Sequence, residues 1–342
     1  MTIKIAVDAM GGDLGCQVIV PAVLDFLDAY VDSSVVLVGE RTALQHQLAQ
    51  YPNRPLPERL SIEHASEIVT MDESPHAALR YKKNSSMRVA VNLLKNGAVQ
   101  ACVSAGNTGA LMATARFVLR MLTGIDRPAI AKMLPAMRGS NTCVLDLGAN
   151  VDCTPEQLYQ FALMGSMLYG ALYAKEYPTV ALLNIGVEAG KGNQLVKAAT
   201  ALLSGSSLNF CGNIEADGIY RGDIDVVVCD GFDGNVALKA SEGLAKLMAQ
   251  VIREEFTRHW WCRFLAGLAW PVLTHIKQRM DPRRYNGASL LGLNGIVVKS
   301  HGGADRYAFY CALTQAREEV RTDVLQRIRG MLAAVPAPLN SE

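Results

Sequence analysis

Ala101-Cys102-Val103-Ser104-Ala105-Gly106-Asn107-Thr108-Gly109-Ala110 is a short apolar run that stops in a cluster of Ser, Gly, Asn and Thr. The same pattern stands at Ala6-Val7-Asp8-Ala9-Met10-Gly11-Gly12-Asp13 and at Leu145-Asp146-Leu147-Gly148-Ala149-Asn150. It returns at Val228-Cys229-Asp230-Gly231-Phe232-Asp233-Gly234-Asn235. Each reads as a buried strand whose C-terminal end passes into a helix N-terminus. In open α/β sheets ligands bind at that edge. Its free N–H groups and the positive end of the helix dipole suit anions, phosphate above all. Several such turns at the same edge of one sheet are expected to form the site.

Working outward, apolar runs of strand length alternate with helical patterns along the whole chain. The strands predicted are Ile3–Val7, Val35–Val38, Leu60–Glu63, Ala101–Ser104, Ala129–Met133, Thr142–Asp146, Val180–Asn184, Val226–Cys229 and Ile296–Lys299. The clearest helices run from Asp13 to Tyr30, Thr108 to Leu122, Thr154-Pro155 to Tyr173, and Asn193 to Leu203. Thr154 before Pro155 is a good N-cap with Pro at the first helical position. Such alternation predicts a mainly parallel sheet covered on both faces.

Composition bounds the function. Of 342 residues, 50% are hydrophobic and 19% charged, so a sizeable core is available. A net charge of +1 argues against a general nucleic-acid binder. The 8 cysteines include no C-x-x-C pair, and Cys102, Cys143 and Cys229 sit in apolar runs; reduced, structural thiols in a cytoplasmic protein are expected. Met1 to Asp8 reads as a first strand, not a signal peptide. No stretch reaches the roughly 18 apolar residues of a membrane span.

One region breaks the alternation. Residues 243–284 read as a helical hairpin interrupted at Pro271, and hold all three tryptophans, Trp260, Trp261 and Trp270. Beside them stand Phe264, Leu265 and Leu268, with Arg253, Arg258, Arg263, Lys277, Arg279, Arg283 and Arg284. The hairpin suits either a partner subunit or a membrane surface, and both can hold at once. The organisation predicted is one catalytic α/β unit over 1–342 that contains this hairpin, with a flexible tail at 334–342.

The chemistry narrows by what is missing. There is no G-x-S-x-G elbow, P-loop, H-E-x-x-H or G-x-G-x-x-G pattern, and the 6 histidines form no metal-ligand spacing. No covalent nucleophile, cofactor or metal is called for. What remains are donors on turns: Ser104, Asn107 and Thr108; Asn184-Ile185-Gly186 with Lys191-Gly192-Asn193; Asp230, Asn235 and Lys239; and Lys299-Ser300-His301-Gly302-Gly303. Arg80, Lys82, Lys83, Ser85, Ser86 and Arg88 add a basic, hydroxyl-rich stretch, although Lys82 and Lys83 alone read as a solvated face. Any one Gly-Asn turn is ordinary structure.

Together these residues resemble the bacterial acyl-acyl-carrier-protein:phosphate acyltransferases of phospholipid synthesis, the PlsX family. The resemblance rests on Val103 to Ala110, Leu145 to Asp152, Asn184-Ile185-Gly186, Asp230-Gly231-Phe232 with Gly234-Asn235, and Val298 to Gly302. Asp8 to Asp13, Tyr285-Asn286-Gly287-Ala288 and Leu291-Gly292-Leu293 match as well, so it runs collinearly from about residue 4 to about 330. Two positions depart from the pattern: Cys16 where Pro is expected and Val187 where Glu is expected, with Glu188 adjacent.

The resemblance implies an isocitrate/isopropylmalate dehydrogenase-like α/β/α sandwich that forms a homodimer. It implies transfer of a long-chain acyl group from acyl carrier protein to inorganic phosphate, and loose attachment to the inner membrane surface. The acyl phosphate formed would feed a membrane glycerol-3-phosphate acyltransferase. On this reading Asn107, Thr108 and Gly109 hold phosphate, Lys191 or Lys299 supplies charge, and Ser104 and Asn150 line the substrate site. Asn193, Asn235 or His301 stabilises the oxyanion or protonates the thiolate, and Asp230 orients one of them or serves as base in the reverse direction. Trp260, Trp261, Arg263, Arg283 and Arg284 meet the membrane or the acidic carrier protein. The rivals are a phosphate acetyltransferase-like enzyme using acyl-CoA, a nicotinamide-dependent hydroxyacid dehydrogenase, and a non-catalytic lipid-surface scaffold.

Overall fold

A computed structural model describes residues 2–54, 56–188 and 190–334. In chain order the strands are β1 (Ile3–Asp8), β2 (Ser33–Gly39), β3 (Leu60–His64), β4 (Ala101–Ser104), β5 (Ala129–Pro135) and β6 (Asn141–Leu145). They continue as β7 (Thr179–Leu183), β8 (Asn209–Ile214), β9 (Val226–Val228), β10 (Ala288–Leu291) and β11 (Ile296–Lys299). The helices are α1 (Cys16–Ala29), α2 (Arg41–Ala49), α3 (Pro75–Tyr81), α4 (Ser86–Lys95), α5 (Thr108–Leu119) and α6 (Pro155–Tyr173). Then come α7 (Gln194–Ser204), α8 (Gly231–Thr257), α9 (Trp260–Leu268), α10 (Trp270–Arg279), α11 (Arg306–Arg321) and α12 (Val324–Ala334).

These strands form one sheet in the order β3-β2-β1-β4-β11-β10-β5-β6-β9-β7-β8. It is mainly parallel and carries helices on both faces, so the three-layer α/β reading is borne out. On one face, Ala6, Cys102, Val297, Leu290, Ile130, Val144 and Val227 pack against α4 and α5 through Met87, Val91, Leu111 and Val118. The other face has two clusters. Ile5, Val7, Val103 and Val298 meet α1 and α11 through Phe26 and Phe309; Leu145, Val180 and Val228 meet α6, α7 and α12 through Phe161, Leu203 and Ile328. Burial on both faces is why the strands read as continuous apolar runs rather than alternating ones.

All nine predicted strands are present, and α6 starts as expected: Thr154 Oγ1 accepts from Gln157 N–H at 3.3 Å while Gln157 Oε1 accepts from Thr154 N–H at 3.1 Å. Two strands were not predicted. The strand β8 lies at the sheet edge, where polar Asn209 and Asn213 and a left-handed Gly212 hide the pattern. The strand β10 is four residues long, carries Ser289 in its centre, and is bounded by Gly287 and Gly292, both at positive φ.

That strand alters the topology. The strand β10 runs antiparallel to both β11 and β5, and β5 runs antiparallel to β6. The parallel block β3-β2-β1-β4-β11 therefore points opposite to the block β6-β9-β7-β8. The Gly-rich turns leave the sheet at two edges, not one as expected. Gly turns look alike in sequence whichever way their strand runs.

Cys16 opens α1 directly, without the proline expected there. All eight cysteines are free thiols, and burial pushes Cys102, Cys143 and Cys229 well above the usual thiol range. The helix α12 reaches Ala334; the tail expected at 334–342 otherwise lies outside the described residues.

One buried carboxyl ties β10 to α11. Glu319 is 2% exposed, accepts from Ser289 Oγ, and accepts from Gln315 Nε2 at 2.9 Å. Burial outweighs these hydrogen bonds and raises its pKa to about 7. The folded state thus holds the Glu319 proton more tightly than the unfolded chain does. The stability it contributes is complete below about pH 4.5 and is lost as pH rises through about 7, on the order of 3 kcal/mol in all. Glu319→Gln, which keeps a neutral partner for Ser289, is expected to remove this slope and to be more stable than the parent at pH 8. Parallel denaturation midpoints for the two proteins between pH 5 and 8 would refute the assignment.

Candidate active site

The strands β1, β4 and β11 are parallel neighbours, and their register sets Asp8 beside Ser104 and Ser104 beside Lys299. Each closes its strand, apolar before it except for Lys4 in β1, and all three are buried, Lys299 at 8% exposure. Ser104 Oγ donates to Asp8 Oδ2 at 2.6 Å and accepts from Gly106 N–H at 3.1 Å. Among the described residues Asp8 Oδ1 has no hydrogen-bond partner. Lys299 Nζ donates to the carbonyls of Ala105, at 3.3 Å, and Ser300. Burial raises the Asp8 carboxyl and lowers Lys299 to about 8, against the opposing pull of Asp8 and Asp13. Lys299 is thus a cation at neutral pH that releases its proton easily. The turns approach closely here: a Cβ on Gly11 would lie 2.6 Å from Asp8 Oδ2 and 2.8 Å from Gly106 N.

The row continues across the next strands. Ala288 of β10 pairs with Lys299, and Ser289 pairs with Ala131 of β5, so Lys132 follows on the same sheet face. Ile130 and Leu134, which flank it at period two, belong to the same apolar cluster as Val297, Cys102 and Ala6. The helix α8 lies over this face through Leu238. Asn235, Lys239 and Glu242 follow at i, i+4 and i+7, one stripe of that helix, and Lys239 Nζ pairs with Glu242 Oε2 at 2.9 Å.

His301 stands beside the row, two residues past Lys299 and just beyond β11. Asn286 holds its loop, accepting from His301 N–H at 3.0 Å and donating through Nδ2 to Ser300 Oγ and the Ala308 carbonyl, both at 2.8 Å. Burial, then Lys299 and Lys239, push its pKa down, Lys132 adding to the effect and Glu242 opposing it. Its Nδ1 accepts from Gly303 N–H at 3.0 Å, which leaves the neutral ring's proton on Nε2. A neutral N–H donor beside three ammonium groups and one carboxylate suits an oxyanion.

Asn107 caps α5, its Oδ1 accepting from Ala110 N–H at 2.9 Å, while Nδ2 donates to the carbonyls of Met71 and Glu73 at 2.7 and 3.2 Å. Its side chain holds the turn, and Thr108 and Gly109 form the first turn of the helix.

The remaining predicted residues gather at the other edge, past β6, β9 and β7. Asn150 Nδ2 donates to the Pro128 carbonyl at 2.8 Å and to Asp146 Oδ2 at 2.9 Å. Asp230 caps α8 through Asp233 N–H at 2.8 Å, and Asn193 caps α7 through Val196 N–H at 2.9 Å. Asn235 lies against Gly148, where a Cβ would be 3.6 Å away. Lys191 is exposed, its N–H donating to the Glu188 carbonyl at 3.0 Å. Glu188, beside the departing Val187, folds back toward Gly186, whose Cβ would meet Glu188 Oε2 at 2.7 Å. Asn184 Nδ2 is buried with no partner among the described residues. The Asn235-Lys239-Glu242 stripe, about 10 Å long, joins the two groups.

Two features escaped the sequence reading. Lys132 was passed over inside the strand Ala129–Met133; a lone charge in a buried apolar run was its signal. Glu242 offered only its i,i+3 spacing from Lys239, an ordinary surface pattern, because its other neighbours come from β5 and the loop after β11.

The hairpin also differs in detail. The helix α8 begins at Gly231 rather than 243, and Pro271 opens α10 instead of breaking a longer helix. Among the described residues of 243–284 none is buried. Trp260 and Trp261 stack with ring centres 3.7 Å apart. Arg263 donates to the Thr257 carbonyl and Arg284 to that of Gln278. Arg283 is pinned between Asp281, at 2.6 Å, and Asp305, at 2.8 Å. No described helix is long and apolar enough to cross a membrane.

A family model described as fatty acid synthesis protein matches residues 3–327. A protein of Chromobacterium violaceum named phosphate acyltransferase is 59% identical over 97% of this chain and 96% of its own length. Another of that name from Methylococcus capsulatus is 55% identical over 98% of each chain. Among solved structures, a phosphotransacetylase from Streptococcus pyogenes superposes with a TM-score of 0.61 at 17% identity, covering 93% of this chain and 94% of that one. A 4-hydroxythreonine-4-phosphate dehydrogenase from Klebsiella pneumoniae gives 0.52 at 15% identity, over 92% and 96%. The chain belongs to the phosphate acyltransferase family of fatty acid synthesis proteins.

Proposed function

We propose that this enzyme moves a long-chain fatty acyl group from acyl carrier protein to inorganic phosphate. The observation that carries the reading is the polar cluster over the sheet: Lys132 and Lys239 face one carboxylate, Glu242, and Lys299 joins them around a neutral His301. Such a site suits an anion attacking a carbonyl. A phosphate oxygen adds to the thioester carbon, the C–S bond breaks, and the carrier thiolate leaves and takes a proton. Phosphate is an adequate nucleophile and thiolate a good leaving group, so positioning and charge stabilisation supply the catalysis.

In this reading the first turn of α5 at Thr108 and Gly109 and the ammonium of Lys299 hold phosphate, with Asn107 and Ser104 fixing the loop. His301 Nε2–H serves the developing oxyanion or the departing thiolate. Lys191, Asn193, Asn235 and Asp230 meet the acyl donor from the second edge, over Asn150, and Asp230 serves as base for the thiol in the reverse direction. The hairpin's exposed Trp260, Trp261, Phe264 and Leu268 support a homodimer with a peripheral seat on the inner membrane face. From there the acyl phosphate reaches a membrane glycerol-3-phosphate acyltransferase. Arg263 and Arg284 steer the acidic carrier protein, while Arg283 braces the hairpin base.

Release of free carrier protein from palmitoyl-acyl carrier protein is expected to require phosphate. Turnover of acetyl-CoA with none of the carrier substrate would favour a phosphate acetyltransferase instead. Lys191→Ala is expected to lower kcat roughly 100-fold with an unchanged melting temperature; unaltered kinetics would remove Lys191 from the site. Binding to anionic vesicles should weaken with added salt and with the double change Trp260→Ala, Trp261→Ala. A double variant that binds as well as the parent would leave the hairpin as a subunit interface only.

A further inference from the structure

Lys132 lies in a strand whose other members, from Ala129 to Leu134, are apolar and buried. An ammonium in such a place is costly unless something answers its charge. Within the described residues its side chain makes neither an ion pair nor a hydrogen bond. Glu242, the acid that faces it, already pairs with Lys239 at 2.9 Å. The strand puts a cation on this face and leaves it unmatched.

The register shows what lies beside it. Between Lys299 on β11 and Lys132 on β5 stands a single residue of the row, Ala288 on β10. Neighbouring strands are about 4.8 Å apart, so the two lysine stems rise roughly 10 Å from one another with only a methyl group between them. Ala288 is part-buried, packed on the apolar cluster below. A side chain this small between two long ones leaves a pit between the two cations, and Lys299, Lys132 and Lys239 all lie near enough to His301 to act on its charge.

We propose that inorganic phosphate sits over Ala288, bridged by the ammonium groups of Lys132 and Lys299, so that Lys132 is a phosphate-binding residue of the enzyme. This rests on the acyl-transfer reading and specifies it. Lys299 then holds the phosphate from the side of α5, and Lys132 from the side of α8. His301 stands near the oxygen that attacks, and Asn235 on the α8 stripe points the way by which the thioester arrives. The ligand chemistry is a phosphate oxyanion, and the donor's prosthetic arm carries one too, as a phosphodiester. The pit's short span between two strands favours the free ion.

Two variants test this. Lys132→Gln removes the charge and is expected to fold, since it relieves a buried ammonium. Ala288→Val fills the pit without touching a charge. Each is expected to raise the KM for phosphate at least tenfold while changing kcat and the KM for palmitoyl-acyl carrier protein less than threefold. Calorimetric titration with inorganic phosphate alone should show weakened binding in both. An unchanged phosphate KM in both variants would overturn the proposal, as would a rise confined to the KM of the carrier substrate, which would give Lys132 to the prosthetic arm. If the parent binds phosphate and Lys132→Gln does not, yet neither releases carrier protein, the site stands and the acyl-transfer reading falls.

Discussion

The register of three parallel strands governs this molecule. Because β1, β4 and β11 end at one level, Asp8, Ser104 and Lys299 stand shoulder to shoulder beneath the N-terminus of α5. Hydrogen-bonded backbone fixes those positions, so the charges are placed by the sheet itself. Burial then acts on the fixed groups: it holds Lys299 near pH 8 in its titration and keeps His301 neutral. A one-residue slip in any of the three strands would turn its polar member to the other face, among Val7, Val103 and Val298.

The reversal at β10 is the second constraint. By running against both neighbours it splits the sheet into two opposed parallel blocks and sends their turns to two edges. The α8 stripe becomes the bridge between those edges, carrying Asn235 at one end and Glu242 at the other. The same helix continues outward as the exposed arm. Its inner end carries the Asn235-Lys239-Glu242 stripe, and its outer end exposes apolar residues that no described neighbour covers.

Much of this was legible in the chain. Strands buried on both faces announce themselves as apolar runs, and Thr154-Pro155 marked the start of α6 to the residue. Strand direction was not legible, since it is set by β10, a four-residue strand hidden between glycines. Caps were ambiguous for a related reason: Asn107, Asn193 and Asp230 have residue types that serve equally to start a helix or to meet a ligand. The structure finds each of them starting a helix. Lys132 and Glu242 face each other from elements distant in sequence, which local pattern does not reveal.

The chemistry proposed for this site is direct attack. The buried thiols are held far from ionisation, and the three lysines and the neutral His301 that converge there outnumber the one carboxylate, Glu242, that faces them, which suits an anionic attacker. In the proposed reaction the acyl group passes from thioester to phosphate without resting on the protein. Intact mass spectrometry of the enzyme mixed with excess palmitoyl-acyl carrier protein, phosphate withheld, tests it most directly. The protein mass should stay that of the unmodified chain, and added phosphate should release carrier protein with no burst. A stoichiometric palmitoyl adduct on the enzyme, discharged when phosphate is supplied, would contradict the account.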